Sequence, residues 1–252
     1  MKFAILIQAR TGSKRYPEKI LKKIDHRVIL EFMIDSLLTR FSKNNIIIAT
    51  TKSKRDNKII KILKEKKIKY FRGSEQNVLK RYIFCAKKFS VKNIIQLTSD
   101  CPLVDVNLIY KMKKIFFKKK LEYFSNTYPP NKSTFPDGTD IEIYKYNSLL
   151  RLNKLSNKNE DKEHVTNFFW KNPKLFKTMI LKNKYNFSSY KFSIDYKNEL
   201  KLLRKILYLL KKKKLKPNYL NIVKIIKKNK DLKKISDKNL KKFKLNRKDL
   251  VV

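Results

Sequence analysis

Lys2-Phe3-Ala4-Ile5-Leu6-Ile7-Gln8-Ala9, running into Arg10-Thr11-Gly12-Ser13-Lys14-Arg15-Tyr16-Pro17-Glu18-Lys19, is the stretch on which the fold turns. Its first half is a short, nearly continuous apolar run, the pattern of a strand buried on both faces of a parallel sheet. Similar runs recur at residues 45–51, 69–72 and 93–98. Between them, apolar periodicity predicts helices over residues 29–41, 55–66 and 76–89. In the last, Val78, Leu79, Tyr82, Ile83, Ala86 and Phe89 share one face. Strand and helix alternating in this way predict an α/β fold, a mostly parallel central sheet with flanking helices and right-handed crossovers. Ligands of such sheets bind beyond the carboxyl ends of the strands.

A helix is expected over 106–118. An irregular excursion from Tyr123 then carries Pro129, Pro130, Pro136 and Gly138 and ends in an alternating strand at 139–144. A helix at 163–171 and strands at 176–181 and 190–194 follow. From Asn198 the chain reads as helical and Lys-rich, with Leu200, Leu203, Leu207 and Leu210 on one face. No linker interrupts it, so the expectation is one domain over 1–252, an α/β core (1–196) with a helical cap (197–252).

The chain has 64 basic and 21 acidic residues, a formal charge of +43. Such a balance fits a polyanion partner, but the lysines are spread over the whole chain, and Ala and Gly are scarce. That reads as compositional drift toward Lys, Asn and Ile, without a specific nucleic-acid module. Phe3–Ile7, one of the longest apolar runs, falls far short of the ~18 to 20 residues that cross a bilayer, so no membrane insertion is expected. Lys2 and the run after it lack a cleavage site, which reads against a secretory signal. Cys85 and Cys101 form neither a disulfide framework nor a metal pattern. A cytoplasmic location is the expectation.

Only three glycines occur, and two of them, Gly12 and Gly73, follow predicted strands. The first loop is neither G-x-x-x-x-G-K-[ST] nor G-x-G-x-x-G. It nevertheless has the parts of a phosphate cradle: backbone N–H groups around Gly12, the Ser13 hydroxyl, and the cations Arg10, Lys14, Arg15 and Lys19. A unit charge pair at 4 Å contributes roughly 4 kcal/mol at an effective dielectric of 20, so these cations suit a triphosphate. Asp100, at the end of the fourth strand, is placed to hold Mg²⁺ against phosphate oxygens. Asp105 fits a helix N-cap better. Asp195 ends another predicted strand and is the second metal candidate.

Several motifs in the same order resemble a known family. Arg10-Thr11-Gly12-Ser13-Lys14-Arg15-x-Pro17-x-Lys19, Phe71-Arg72-Gly73-Ser74-Glu75 with Val78-Leu79-x-Arg81-Tyr82, and Thr98-x-Asp100-Cys101-Pro102-Leu103 resemble the cytidylyltransferases of cell-surface sugars. These include the spore coat polysaccharide biosynthesis enzymes, relatives of acylneuraminate and 3-deoxy-manno-octulosonate cytidylyltransferases. Gly138-x-Asp140-x-Glu142, Asp161-x-Glu163-His164-Val165-Thr166 and Ile194-Asp195 extend the similarity over the whole chain.

The resemblance implies a glycosyltransferase-A-like nucleotide-binding fold and transfer of CMP from CTP to a small sugar of the acidic or cell-surface class. Ala9, Arg10, Gly12, Ser13, Arg15 and Lys19 would hold the triphosphate, with Arg72, Ser74, Arg81 and Thr98 near the nucleotide. Asp100 and Asp195 would hold Mg²⁺; Arg10, Lys19 and Asp100 would act in catalysis; Asp140, Glu142, Glu163 and His164 would line the acceptor side. Relatives are often dimers. They usually carry Gly where this chain has Glu18, whose charge beside a triphosphate would weaken binding unless it points to solvent or pairs with a neighbour such as Lys14. Competing readings are a sugar transferase of the same fold using a finished nucleotide sugar, and a polyanion-binding protein.

Overall fold

In the computed structural model, residues 1–156, 161–162 and 164–245 are described. Strands β1 (Ala4–Gln8), β4 (Ile46–Thr51), β5 (Lys69–Gly73) and β6 (Asn93–Thr98) pair in parallel in the order β5-β4-β1-β6. β8 (Glu142–Lys145) joins β6 antiparallel, β7 (Tyr123–Ser125) pairs antiparallel with β8, and β9 (Thr178–Ile180) runs parallel to β7 at the far edge. A two-stranded ribbon of β2 (Lys23–Ile24) and β3 (Arg27–Val28) follows the first loop.

β1 lies between β4 and β6, so Ala4, Ile5, Leu6 and Ile7 are all fully buried. That explains why the run has no polar alternation. Helices α1 (Ile29–Leu38), α2 (Asn57–Glu65), α3 (Val78–Lys88) and α4 (Val106–Lys118) flank the sheet. Their apolar sides divide into two layers: Leu30, Met33, Leu63 and Met112 pack with Ile5 and Ile7, while Val78, Tyr82 and Ala86 pack with Ala4 and Leu6. Asp105 caps α4 by accepting from the N–H of Asn107 and Leu108, both at 3.0 Å.

The second half departs from the expected outline. Residues 139–141 are not part of β8, and Tyr123–Ser125, read as part of the irregular excursion, forms β7. Helices α5 (Tyr146–Leu155) and α6 (Asn167–Lys171) cover this side. Tyr190–Ile194 is no strand of the sheet. It runs extended between two loops: Asp137 N–H donates to Tyr190 O (3.0 Å), Phe192 N–H to Asp137 O (3.0 Å) and Ile194 N–H to Asp100 O (2.8 Å). Ladder bonds are replaced by loop bonds, and the segment tethers Asp195 to Asp100.

The C-terminal stretch forms three helices, α7 (Lys197–Lys212), α8 (Tyr219–Lys228) and α9 (Lys230–Leu245). Pro217 and the Asn218 cap, which accepts from Asn221 N–H at 2.9 Å, separate the first two. Leu200, Leu203, Leu207 and Ile226 pack with Ile24, Phe32, Leu103 and Phe192. Arg204 reaches back to the Lys23 carbonyl (2.6 Å). Among the described residues no helix is long and apolar enough to cross a membrane.

Candidate active site

A cleft of about 780 Å³ opens beyond the carboxyl ends of β1 and β6. Of the sequence candidates, Arg10, Arg15, Ser74, Thr98, Asp100, Asp140, Glu142, His164 and Asp195 line it, together with Lys14. Ala9, Gly12, Ser13 and Lys19 lie in the adjoining loop, not among the lining residues. Glu163 falls outside the described residues.

The loop from Ala9 to Lys19 folds on itself. Ser13 and Glu18 N–H both donate to the Thr11 carbonyl (2.9 and 3.0 Å), and Tyr16 N–H donates to Ser13 Oγ (3.3 Å). The backbone N–H groups of Gly12, Lys14 and Arg15 make no hydrogen bond among the described residues. Open donors on a loop flanked by cations form an anion-binding concavity. A Cβ on Gly12 would stand 2.8 Å from the Arg55 guanidinium and 3.1 Å from Glu75 Oε1, so the glycine permits a close approach. Glu75 also lies 4.0 Å from Arg10 and pairs with Arg55.

Glu18 has φ +54°, a left-handed conformation that favours glycine. Its carboxylate pairs with Lys58 at 2.7 Å, not with Lys14. That hydrogen bond and charge hold its pKa below the ordinary value.

Lys19 starts a short 3₁₀ turn that carries its side chain under the loop. Its Nζ donates to Ile194 O (2.5 Å) and Asp100 Oδ2 (3.0 Å) and reaches Asp195 Oδ1 at 3.5 Å. Burial disfavours the ammonium, but Asp100 and Asp195 outweigh it and hold the Lys19 pKa above the usual lysine range. Burial likewise opposes ionisation of Asp100, while the Lys19 charge and hydrogen bonds from Thr98 and Lys19 hold its pKa well below the carboxylate range. Arg15 Nη2 binds Asp195 Oδ1 at 2.5 Å. Two carboxylates converging on one cation form an all-oxygen donor pair of the kind Mg²⁺ takes, with water and phosphate completing its shell. Among the described residues no cluster of three or more candidate ligands forms a protein-only metal cage.

Arg72 and Arg81 are not among the residues that line the cleft. Arg72 donates to Thr51 O (2.9 Å) and Ser53 O (2.8 Å), and the fully buried Arg81 donates to Ser74 O (2.6 Å). Arg72 thus ties β5 to the end of β4, and Arg81 holds the backbone of Ser74, which lines the cleft.

The opposite end is rich in carboxylates. Glu142 is 5% exposed and accepts from Tyr123 OH (2.5 Å) and Gln96 Nε2 (3.3 Å). Burial pushes its pKa up to about 7 against the Thr166 and Tyr123 hydrogen bonds. Asp140 accepts from the Cys101 thiol (3.2 Å) and Gly138 N–H (3.1 Å). Burial and the Asp137 charge raise it to about 6. Gly138 has φ +103°, and a Cβ there would stand 2.7 Å from Ser193 N, so glycine alone brings this loop against residues 192–193.

Sequence reasoning missed Lys191. It is 1% exposed, and its Nζ lies 3.2 Å from Asp195 Oδ2, 3.2 Å from Glu199 Oε1 and 3.5 Å from Asp137 Oδ1. Burial opposes its charge, but Asp137 and Asp195 prevail and raise its pKa. Glu199 is itself pushed up by burial despite Lys191, so the two aspartates are the firmer counter-ions. The available signal was period-two spacing: Lys191, Ser193 and Asp195 share one side of an extended segment.

The chain matches the family described as cytidylyltransferase over residues 4–232. It is 35% identical over 181 residues to an uncharacterized protein of Methanocaldococcus jannaschii, covering 72% of each chain. It is 27% identical over 206 residues to the spore coat polysaccharide biosynthesis protein SpsF of Bacillus subtilis, covering 79% of this chain and 83% of that protein. Among solved structures, a cytidylyltransferase from Leptospira borgpetersenii superposes with a TM-score of 0.85 at 31% identity, covering 94% of this chain and 98% of the other. A CMP:2-keto-3-deoxy-manno-octonic acid synthetase complexed with CTP shares the fold, with a TM-score of 0.60 at 15% identity and coverage of 83% and 99%. The mostly parallel seven-stranded sheet, the loop after its first strand and these matches together make the chain a member of the cytidylyltransferase family, a nucleotidyltransferase.

Proposed function

We propose that the protein transfers a cytidylyl group from CTP to a hydroxyl of a small sugar, releasing pyrophosphate and supplying a CMP-sugar for surface polysaccharide or glycoconjugate synthesis. The observation that carries this reading is Lys19 Nζ held by both Asp100 and Asp195 directly behind a loop with open N–H donors. The similarity to a spore coat polysaccharide biosynthesis protein of Bacillus supports the polysaccharide setting. The reading treats residues 1–252 as one catalytic unit, because α7 and α8 pack on residues at the base of the cleft.

The triphosphate carries about −4, which Arg10, Lys14, Arg15 and Lys19, with the metal, would balance, and charge pairs near a protein surface count for more than in bulk water. Asp100 and Asp195 would hold Mg²⁺, which when bound neutralises charge on the phosphate oxygens. Arg15 and Lys19 sit beside that pair, so both can follow negative charge as it moves to the departing pyrophosphate. The acceptor hydroxyl attacks the α-phosphorus in line, its oxygen forming the new P–O bond while the bond to the leaving pyrophosphate breaks. Asp140, lining the cleft next to Cys101 with a pKa near 6, is the carboxylate suited to take the hydroxyl proton. Positioning and electrostatics supply most of the acceleration.

The test is pyrophosphate release with Mg²⁺, each of the four nucleoside triphosphates and a panel of acidic and neutral sugars. The expected result is release with CTP and one class of sugar. Release of a nucleoside diphosphate from a nucleotide sugar, with no pyrophosphate from any triphosphate, would contradict it.

A further inference from the structure

Every polar group of Thr11 is engaged. Its N–H and Oγ1 both donate to Asp56 Oδ1, at 2.8 and 2.6 Å, while its carbonyl accepts from Ser13 and Glu18. Asp56 is fully buried, and its other oxygen accepts from Thr50 Oγ1 (3.3 Å) and Thr51 Oγ1 (2.5 Å) at the end of β4. One carboxylate therefore ties the first loop to the neighbouring strand. Burial opposes its ionisation, yet the donors from Thr11, Thr51 and Thr50 hold its pKa below the ordinary value, so it is an anion at neutral pH.

A buried anion behind a loop that receives an anionic ligand is electrostatically adverse, since like charges repel in a poorly screened interior. Its contribution to the site must then be geometric. Hydrogen bonds to an ionised acceptor are roughly twice as strong as neutral ones, so a carboxylate fixes both Thr11 donors more firmly than an amide or hydroxyl. With Thr11 fixed, its carbonyl turns Ser13 and Glu18 inward, and the N–H groups of Gly12, Lys14 and Arg15 are left open.

We propose that Asp56 is the positioning residue of the triphosphate loop: by holding both donors of Thr11 it sets the loop conformation that leaves the phosphate-binding N–H groups unpaired. The residue touches no reacting atom and acts through Thr11. The inference rests on the nucleotide reading above.

The test uses the full chain with two titrants, inorganic tripolyphosphate and CTP, each with Mg²⁺, followed by calorimetry, together with separate KM values for CTP and acceptor. Asp56→Asn and Thr11→Val are expected to weaken binding of both titrants by about tenfold. KM for CTP should rise in proportion while KM for the acceptor stays within twofold. Thr11→Ser, which retains the hydroxyl, should bind within twofold of wild type. Ile226→Val, a remote core change in α8, lowers the melting temperature without altering either affinity, which separates loop geometry from loss of stability. If Asp56→Asn does not fold, Thr11→Val alone decides. Wild-type affinity for tripolyphosphate in a folded Asp56→Asn or Thr11→Val protein overturns the proposal, as does an equal rise in both KM values. A wild-type chain that binds tripolyphosphate but not CTP contradicts the nucleotide reading instead, and the tripolyphosphate comparison still decides the role of Asp56.

Discussion

The two ends of the cleft are built on opposite plans. The proposed nucleotide end comes largely from one loop, residues 9–19, with cations at its surface and its hydrogen bonds closed by Asp56. The proposed acceptor end is assembled from Cys101, Asp137–Glu142 and His164–Asn167, where Asp137, Asp140 and Glu142 supply carboxylates, with Asp100 and Ser193–Asp195 at the junction. Lys19 and Lys191 stand where the two meet, each bound to Asp195. On the proposed reading a polyanion would be received by a local, preformed cradle, whereas the acceptor would face a surface that exists only after distant segments have converged. Substitutions at the first end should cost turnover through phosphate and metal chemistry. Those at the second should cost proton transfer, acceptor binding or pH-dependent stability.

The largest expected effect breaks the junction. Asp100→Ala should lower pyrophosphate release about a thousandfold. Its circular dichroism and melting transition should stay close to wild type, because Asp195 still partners Lys19 and Arg15. Retained turnover would remove Asp100 from the metal pair. Next, Asp140→Asn should lower kcat by roughly 10²-fold or more while KM for CTP changes little. The acid limb of the kcat profile should disappear with it, as read in a pH series from 5 to 8; an unchanged limb would assign the proton elsewhere.

Glu142 tests the acceptor end through stability alone. Its folded pKa of about 7 lies above the ordinary 4.5, so the folded state holds the proton to higher pH than the unfolded state. Stability therefore falls as pH rises from about 4.5 to 7, and the full penalty, at most about 3 kcal/mol, applies above that window. Urea titrations across pH 4 to 8 should find the decline weaker in Glu142→Gln. A parallel decline in both proteins would mean that Glu142 does not titrate there. The smallest effect belongs to the nucleotide loop: Glu18→Gly relieves a left-handed residue and should raise the melting temperature by a few degrees, even though it removes the exposed pair with Lys58. A fall in melting temperature would give the Lys58 pair more weight than the backbone.

The same contrast governs what could be read from the chain itself. β1, β4 and β6 are two-sided buried strands, so their apolar runs carry the signal directly, while the edge strand β5 is half-buried over Lys69–Arg72, and α4 spans the residues its periodicity predicts. β7 has only three residues, and 190–194 satisfies its backbone through the loops at Asp100 and Asp137; neither leaves a local pattern of a sheet strand. Arg10, Lys19 and Asp100 stand out because a loop and a strand end suffice to suggest their chemistry. Lys191 shares period-two spacing with Ser193 and Asp195, a weak signal among the many lysines of a chain with charge +43, and its burial among Asp137, Asp195 and Glu199 is what sets it apart. Asp56 lay inside a predicted helix start, and its bond to Thr11 crosses 45 positions of sequence.

The central claim is that the cradle at Gly12 to Lys19, joined to Asp100 and Asp195, activates CTP for attack by a sugar hydroxyl. The most direct measurement is pyrophosphate formation from CTP, Mg²⁺ and a sugar panel by the wild-type chain, run beside Asp100→Ala. The account predicts stoichiometric pyrophosphate and CMP-sugar with the wild type and near-complete loss in the variant. Equal pyrophosphate release by both proteins, or CTP binding without product for any sugar while a nucleotide sugar is consumed, would contradict it.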